Sequence, residues 1–288
     1  MKYLIKELNI NKIIYIMKTR NKKLGFCFLI YDKINLEELW NIFFKNVNKK
    51  KYNIYIHYKT DVPLQYFEEY KLKECIETQY AHVSLIHAHN ILFRKAYDDD
   101  CYKIINLSQA CIPFKSFDYI YNLLCQDDNG YFNISPHYQC FPNCNDLLNY
   151  YDENIIQKSS EWFIINRKIC NLIINENKMN IDKLYINIYA PEEIFYITLV
   201  YYNNLQNEII ITPSISNTND ATTFTNWADM DYKYVSNHGL KNYNSIDKEE
   251  LIYLLNSKCL FGRKFNNECF SHLFIKEYLE KINKIPIL

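Results

Sequence analysis

The amino-acid sequence predicts an α/β protein in which a Rossmann-like, mostly parallel sheet is flanked by helices. Three observations indicate this class. Apolar strand-like runs alternate along the chain with amphipathic helix-like segments, which is the order that builds a doubly wound sheet. Residues 23–31 form an almost continuously apolar run, as expected of a strand buried on both faces. The chain has 288 residues, 49% of them hydrophobic, and is long enough to bury a large core.

Four strands and three helices are expected in the first half of the chain. Asn35 is the expected N-cap of the first helix, because an Asn side chain before an apolar stripe can accept a backbone N–H bond. In order, the elements are a strand at 23–31, a helix at 36–44, strands at 52–58 and 83–86, a helix at 92–97, a strand at 102–107 and a helix at 116–125.

The second half begins with a long irregular segment, residues 126–158, rich in Asn, Asp, Pro and Tyr. Asn166 and Asp247 are expected N-caps, the latter in a capping box with Glu250. The elements that follow are a strand at 162–165, helices at 166–175 and from 191, a strand at 208–212, a loop at 214–225, a helix from 247, a strand at 259–261 and a helix at 270–282. We expect one domain over residues 22–288, after an N-terminal extension of residues 1–21.

Charge and hydropathy exclude some classes of partner. The formal net charge is +0, so bulk electrostatics give no reason to expect nucleic-acid binding. Charged residues interrupt the apolar patches of residues 1–20, and no apolar run approaches the ~20 residues of a membrane-spanning helix. No signal anchor is visible. A cytoplasmic or membrane-associated location, with possible peripheral membrane association, is therefore the expectation.

The cysteines indicate buried, reduced thiols more than a metal site. None of the ten forms a CxxC pair, and several stand inside apolar runs. Cys140 and Cys144, with His137 before them, faintly suggest zinc, but no second ligand pair follows at a suitable spacing. The acidic run at residues 98–100 follows a helix and is better interpreted as a solvated turn than as a metal-binding DxD motif. No metal site is predicted.

One short motif places acids at the start of a buried element. Pro191 favours the first turn of a helix, and the helix dipole stabilises Glu192 and Glu193 behind it. The next six residues are too apolar for a solvated surface helix. Acids at the mouth of a buried element are candidate general bases, although ordinary helix-start chemistry would give the same pattern.

Four sequence blocks stand in a fixed order along the chain. They are the strand ending at Asp32 with its helix, the block at 105–114, the block at 158–167 with the Pro191 motif after it, and the block at 259–265. Together they resemble the Core-2/I-branching glycosyltransferase family, especially its plant-type branch, over about residues 23–279. The order and spacing of all four blocks carry the resemblance.

The resemblance implies a GT-A fold and an inverting transfer of a sugar from a UDP-sugar to a hydroxyl of a glycan or glycoprotein acceptor. N-acetylglucosamine is the first expected sugar and xylose the second, with no metal and no cofactor besides the UDP-sugar co-substrate. Glu193 takes the place of the family's catalytic base. Lys264, with Arg263 beside it, takes the place of the basic group on the nucleotide diphosphate. Family members usually work on Golgi membranes.

The chain departs from the family pattern at two places. Lys59 stands where many members have the Asp of an I-H-x-D motif, and His87-Ala88 replaces a W-G pair. His57 and His238 are candidate nucleotide contacts, against the ordinary alternative of structural histidines. Four aromatic residues of the irregular segment could stack on sugars or pack the core: Tyr131, Phe132, Tyr138 and Phe141. The departures leave open a catalytically inactive glycan- or nucleotide-sugar-binding protein with the same fold.

Overall fold

The computed structural model describes residues 22–213, 222–228 and 232–283. Nine strands and eight helices lie in these ranges. The strands are β1 (Leu24–Ile30), β2 (Tyr52–Tyr58), β3 (Lys103–Ser108), β4 (Ile112–Pro113), β5 (Gly130–Ile134), β6 (Ile164–Asn166), β7 (Ile209–Pro213), β8 (Thr223–Thr225) and β9 (Phe261–Arg263). The helices are α1 (Glu37–Phe44), α2 (Ser84–Asp98), α3 (Phe117–Leu124), α4 (Arg167–Ile174), α5 (Lys178–Tyr185), α6 (Glu192–Tyr202), α7 (Lys248–Asn256) and α8 (His272–Ile282). The expected N-terminal extension lies outside the described residues, so the domain boundary at residue 22 stays a prediction.

The main sheet has six strands in the order β2-β1-β3-β6-β5-β7. The pairs β1–β2, β1–β3 and β5–β7 are parallel, whereas β6 is antiparallel to both of its neighbours. The predicted mostly parallel sheet is therefore confirmed, with one reversed strand in its interior. Because β6 runs backwards, the segment that leads into it lies at the same edge as the carboxyl ends of the parallel strands.

The buried residues of β1 alternate between two cores. Phe26 and Phe28 pack among the aromatic residues of α1 and α3 on one face of the sheet. Cys27 belongs to the core on the other face, which α2, α4 and α6 cover. A strand buried on both faces accounts for the continuous apolar run in the sequence.

A second, three-stranded sheet has the order β4-β9-β8 and packs with α7 and α8 in a third core. Its register pairs Ile112 of β4 with Gly262 of β9. The Asn35 side chain donates to the Phe265 carbonyl over 2.9 Å, which joins the segment before α1 to the segment after β9.

Several expected elements differ from the structure. Residues 83–86 begin α2 instead of forming a strand, because buried Ile86, His89 and Phe93 follow helical spacing. The segment 126–158, expected to be irregular, contains β5. This strand was not predicted because it has only five residues and polar residues surround it in the sequence. Helix α5 was missed, and β8 lies inside the expected loop 214–225, of which residues 214–221 are outside the described ranges.

The expected helix caps are partly confirmed. Asn166 caps α4 by accepting from the Ile169 N–H over 2.8 Å. Asn35 does not cap α1: the N-cap is Leu36 with φ 52°, and Asn35 is engaged elsewhere. Asp247 precedes α7 without a side-chain cap bond, and there is no capping box because Glu250 is buried and accepts from the Tyr243 hydroxyl over 2.6 Å.

Candidate active site

A cavity of about 420 Å³ opens where strands of both sheets end. Glu193, Arg263 and Lys264, far apart in sequence, all line it. The remaining lining residues come from several segments: Tyr80, Ala81, Ser135, Gln139, Lys158, Ser159, Ser160, Glu161, Trp162, Tyr189, Ala190, Glu192, Thr225, Trp227 and Leu240. Ligand sites of open α/β sheets lie at this edge. A larger groove of about 840 Å³ lies between β2 and α2, and none of the five predicted site residues lines it.

Two alanines in the left-handed region hold the start of α6. Ala190 has φ 51° and Ala81 has φ 53°, and the Ala190 N–H donates to the Ala81 carbonyl over 3.1 Å. A left-handed conformation costs a residue with a Cβ roughly 1–2 kcal/mol, so surrounding contacts must impose it. It turns the chain sharply before Pro191, and Glu193 enters the cavity from the first turn of the helix.

Lys158 forms an ion pair with Glu193, a contact that sequence reasoning missed. The Lys158 ammonium donates to Glu193 Oε2, and both side chains are about three-quarters buried, at 23% and 28% exposure. The Ser159 N–H donates to the Glu193 carbonyl over 2.8 Å, so backbone and side-chain contacts join the same two segments. Lys158 is the first residue of the third sequence block, and this position was the one feature of the sequence that could have indicated a role in the site.

The other two acids of the cavity are held in a low-polarity environment. Glu192 is 5% exposed, and burial, followed by the nearby Glu161 carboxyl, raises its pKa to about 9. Among the described residues, no hydrogen-bond partner reaches Glu192 Oε2. Burial also raises the pKa of Glu161 to about 7, against the opposing charge of Arg263. Glu192 is therefore protonated near neutral pH.

Two cations face these acids from the end of β9. The Arg263 guanidinium lies 4.0 Å from the centroid of the Trp162 ring, a cation–π contact. Burial lowers the pKa of both Arg263 and Lys264, and for Lys264 the neighbouring guanidinium adds to the effect. Within the described ranges, neither side chain has a carboxylate within 4.0 Å, and buried Arg263 Nε has no hydrogen-bond partner. Buried donors without a partner suit an anionic ligand.

A buried polar network contacts the backbone of Glu161, one of the residues that line the cavity. Asn106 Nδ2 donates to the Glu161 carbonyl over 2.9 Å and lies 3.2 Å from His89 Nε2. His89 Nδ1 lies 3.1 Å from the Tyr196 hydroxyl. Asn106 thus joins the second sequence block to the third. No pattern in the sequence indicated that His89 would belong to this network.

Comparison with known proteins agrees with this architecture. The family model described as "Core-2/I-Branching enzyme" matches residues 24–251, most of the chain. The chain belongs to the Core-2/I-branching enzyme family. Its α/β architecture with a mostly parallel central sheet is GT-A-like, as the family resemblance implied. The match ends before β9, so the roles of Arg263 and Lys264 depend on geometry and on the resemblance of their block.

A curated relative of this Core-2/I-branching protein is Glycosyltransferase BC10 from Oryza sativa subsp. japonica. The two are 19% identical over 170 residues, which is 55% of this chain and 42% of the rice protein. The chain therefore spans less than half the length of this relative. Within the described residues, no helix combines the length and apolar character needed to cross a membrane.

The structure does not bring the two candidate histidines into the Core-2/I-branching cavity. His57 is buried at the end of β2, where its Nε2 accepts from the Ile76 N–H over 3.0 Å and burial lowers its pKa to about 4. His238 is exposed, and its carbonyl accepts from the Ser236 hydroxyl over 3.1 Å. Neither lines the cavity, and their nucleotide contact stays a prediction.

The other sequence candidates also lie apart from the cavity lining. Tyr131 and Phe132 are buried in the core, whereas Tyr138 is exposed, and Phe141 packs partly buried against the core. Cys140 and Cys144 are buried free thiols. Across the described ranges, no three His, Cys, Asp or Glu side chains are arranged to hold a metal ion. Whether the reaction needs a metal stays a prediction from the family resemblance.

Proposed function

We propose that this protein is an inverting, metal-independent glycosyltransferase. It moves a sugar, N-acetylglucosamine in the first instance, from a UDP-sugar to a hydroxyl of a glycan acceptor. The observation that supports the proposal is the position of an acid and two cations. Glu193 precedes Arg263 and Lys264 by about seventy positions in the chain, yet all three line one cavity.

Each group has a defined task in this reaction. The acceptor hydroxyl oxygen attacks the anomeric carbon and gives its proton to Glu193, while the bond from that carbon to the UDP oxygen breaks. The electron pair of the broken bond stays on the β-phosphate. Arg263 and Lys264 stabilise the charge that develops there, as charge-assisted hydrogen-bond donors.

A screen for UDP release tests the activity. Common UDP-sugars are incubated with the purified protein and a panel of glycan acceptors, with and without EDTA. We expect acceptor-dependent UDP release with at least one donor, at the same rate in EDTA. Activity that EDTA abolishes and a divalent cation restores would contradict the metal-independent mechanism.

Neighbouring acids provide a matched test of the base. Glu193→Gln is expected to lower kcat by roughly 10²–10⁴-fold, the usual contribution of general-base catalysis. Glu192→Gln should lower kcat less than about tenfold, because a pKa of about 9 keeps Glu192 protonated at pH 7, and glutamine is similar in shape and charge. Equal losses in the two variants, with equal thermal stability, would remove the base assignment.

A second candidate function is a catalytically inactive protein that binds glycans or nucleotide sugars. The observation in its favour is the Lys158–Glu193 ion pair, which engages the proposed base, together with Lys59 at the position of the family Asp. Calorimetry with UDP and UDP-sugars separates the two candidates. Binding without UDP release, for every donor and acceptor tested, would favour the binding protein.

A further inference from the structure

The three carboxyl groups of the cavity differ in their nearest partners. Among the described residues, Glu193 is the one of the three with a charged side chain within 4.0 Å, the ammonium of Lys158. Glu161 lies 3.6 Å from His89, but burial lowers the pKa of this histidine to about 3, so the ring is neutral. Glu192 is itself protonated near neutral pH. Glu193 is therefore the carboxyl group of the three that has a cation beside it, and that cation is Lys158.

The backbone fixes Lys158 against its partner. The Ser135 N–H donates to the Lys158 carbonyl over 2.9 Å, and residue 159 forms an antiparallel bridge with Ile134 at the end of β5. On the other side, the Ser159 N–H bonds to Glu193. Lys158 is therefore attached to the sheet and to the start of α6 independently of its side chain. A substitution of the side chain leaves these backbone contacts available.

We propose that Lys158 is a positioning residue that holds the Glu193 carboxylate in place and aimed at the acceptor. The proposal rests on the function proposed above. The ammonium binds Oε2, which leaves Oε1 to take the proton of the acceptor hydroxyl. Lys158 keeps its own protons throughout and does not enter the bond changes.

The charges around this pair predict what its loss would do. The groups that face it are the carboxyls of Glu161 and Glu192, the cations Arg263 and Lys264, the hydroxyls of Tyr80 and Tyr189, and the buried thiols of Cys140 and Cys144. Without the Lys158 ammonium, Glu193 has no described cation within 4.0 Å. An adjacent cation favours the ionised form of a carboxyl group. Loss of the ammonium should therefore move the acid limb of the reaction to higher pH.

The test compares pH profiles of kcat between pH 5 and 9 for the wild type, Lys158→Met and Lys158→Arg. For Lys158→Met we expect the acid limb to move to higher pH by about one unit, so that kcat on the limb falls up to about tenfold below the wild-type value at the same pH, whereas the plateau near pH 8 is unchanged. Lys158→Arg keeps the charge and should restore the wild-type limb. The KM for the UDP-sugar should stay within about twofold. Lys158→Gln serves as the second neutral variant if Lys158→Met does not fold.

Other outcomes would overturn the positioning role. A fall in kcat by the same factor at every pH would indicate a purely structural part, and an increase in donor KM with an unchanged profile would place Lys158 on the phosphates instead. The Glu193→Gln variant separates the proposed function from the positioning role of Lys158. If it is fully active, the proposed function fails. If it is inactive and Lys158→Met keeps the wild-type profile, the positioning role alone fails.

Discussion

At the scale of single residues, two exposed tyrosines stand at the rim of the cavity. Tyr80 is 85% exposed and Tyr189 is 63% exposed, with ring centroids 6.4 Å apart in an edge-on arrangement. Each directly precedes one of the left-handed alanines, and the hydrogen bond between Ala190 and Ala81 fixes both turns. Exposed aromatic side chains grouped beside a polar cavity are typical of a binding surface. They suit the apolar face of a sugar ring in the acceptor.

Removal of one of these rings should weaken acceptor binding. Tyr189→Ala is expected to raise the acceptor KM about tenfold, equivalent to about 1.4 kcal/mol, with kcat nearly unchanged. Tyr189→Phe should keep most of the affinity because the ring carries the contact. The matched control is Tyr202→Ala, a tyrosine 57% exposed at the far end of α6. Steady-state kinetics at saturating donor measure the effect, and equal KM changes in the alanine variants would contradict it.

At the scale of elements, the sequence blocks meet as pairs of strands. Strand β4 of the second block pairs with β9 of the fourth, and the Phe114 N–H donates to the Leu260 carbonyl over 2.7 Å. A Cβ at Gly262 would lie 2.0 Å from Cζ of the Phe114 ring, so the close approach requires glycine. This contact fixes the strand that ends at Arg263, and therefore the two cations.

Gly262→Ala should disturb both stability and donor binding. We expect a loss of about 1–3 kcal/mol in the free energy of unfolding, because the new methyl group must displace a buried ring, and a higher KM for the UDP-sugar. In Gly262→Ala/Phe114→Leu the smaller side chain should recover part of the loss. Gly25→Ala is the control, since its nearest contacts would be 3.2 Å away. Denaturant unfolding that gives equal losses for the two glycines would be inconsistent with this packing.

At the scale of the whole molecule, strands with strong patterns were predictable and contacts between distant segments were not. The patterns at residues 23–31 and 52–58 predicted β1 and its edge neighbour β2, and the Pro191 motif predicted the start of α6. The ordered blocks placed Glu193 and Lys264 in one cavity, which the structure contains. Lys158 was missed because its ion pair spans 35 positions, and Asn35 was misassigned because its partner lies 230 residues away. Local patterns carry no information on such partners.

Four buried titratable groups link the stability of the whole fold to pH. Burial lowers the pKa of His57 to about 4 and of His89 to about 3, from an ordinary value of 6.5. The unfolded chain therefore binds more protons below pH 6.5, and stability falls as the pH drops from there. Glu161 and Glu192 have pKa values of about 7 and about 9 against an ordinary 4.5, so the folded protein holds more protons above pH 4.5. Their contribution to stability falls as the pH rises.

Between about pH 4.5 and 6.5 the histidines and the two glutamates have opposite effects on stability. Their summed contribution to the free energy of unfolding therefore changes little in this range. Above pH 6.5 the histidines are neutral in both states, and the two carboxyl groups set the direction of the change. Lys115, whose pKa burial lowers to about 8, opposes them in part near pH 8. We expect the free energy of unfolding to decrease from pH 6.5 to 8, with Glu192 contributing up to about 1.4 kcal/mol per pH unit. Glu192→Gln, which carries no titrating proton, should flatten the decrease and be the more stable protein at pH 8. Urea unfolding at half-unit steps of pH measures both proteins, and parallel curves would show that Glu192 is not protonated in the folded state.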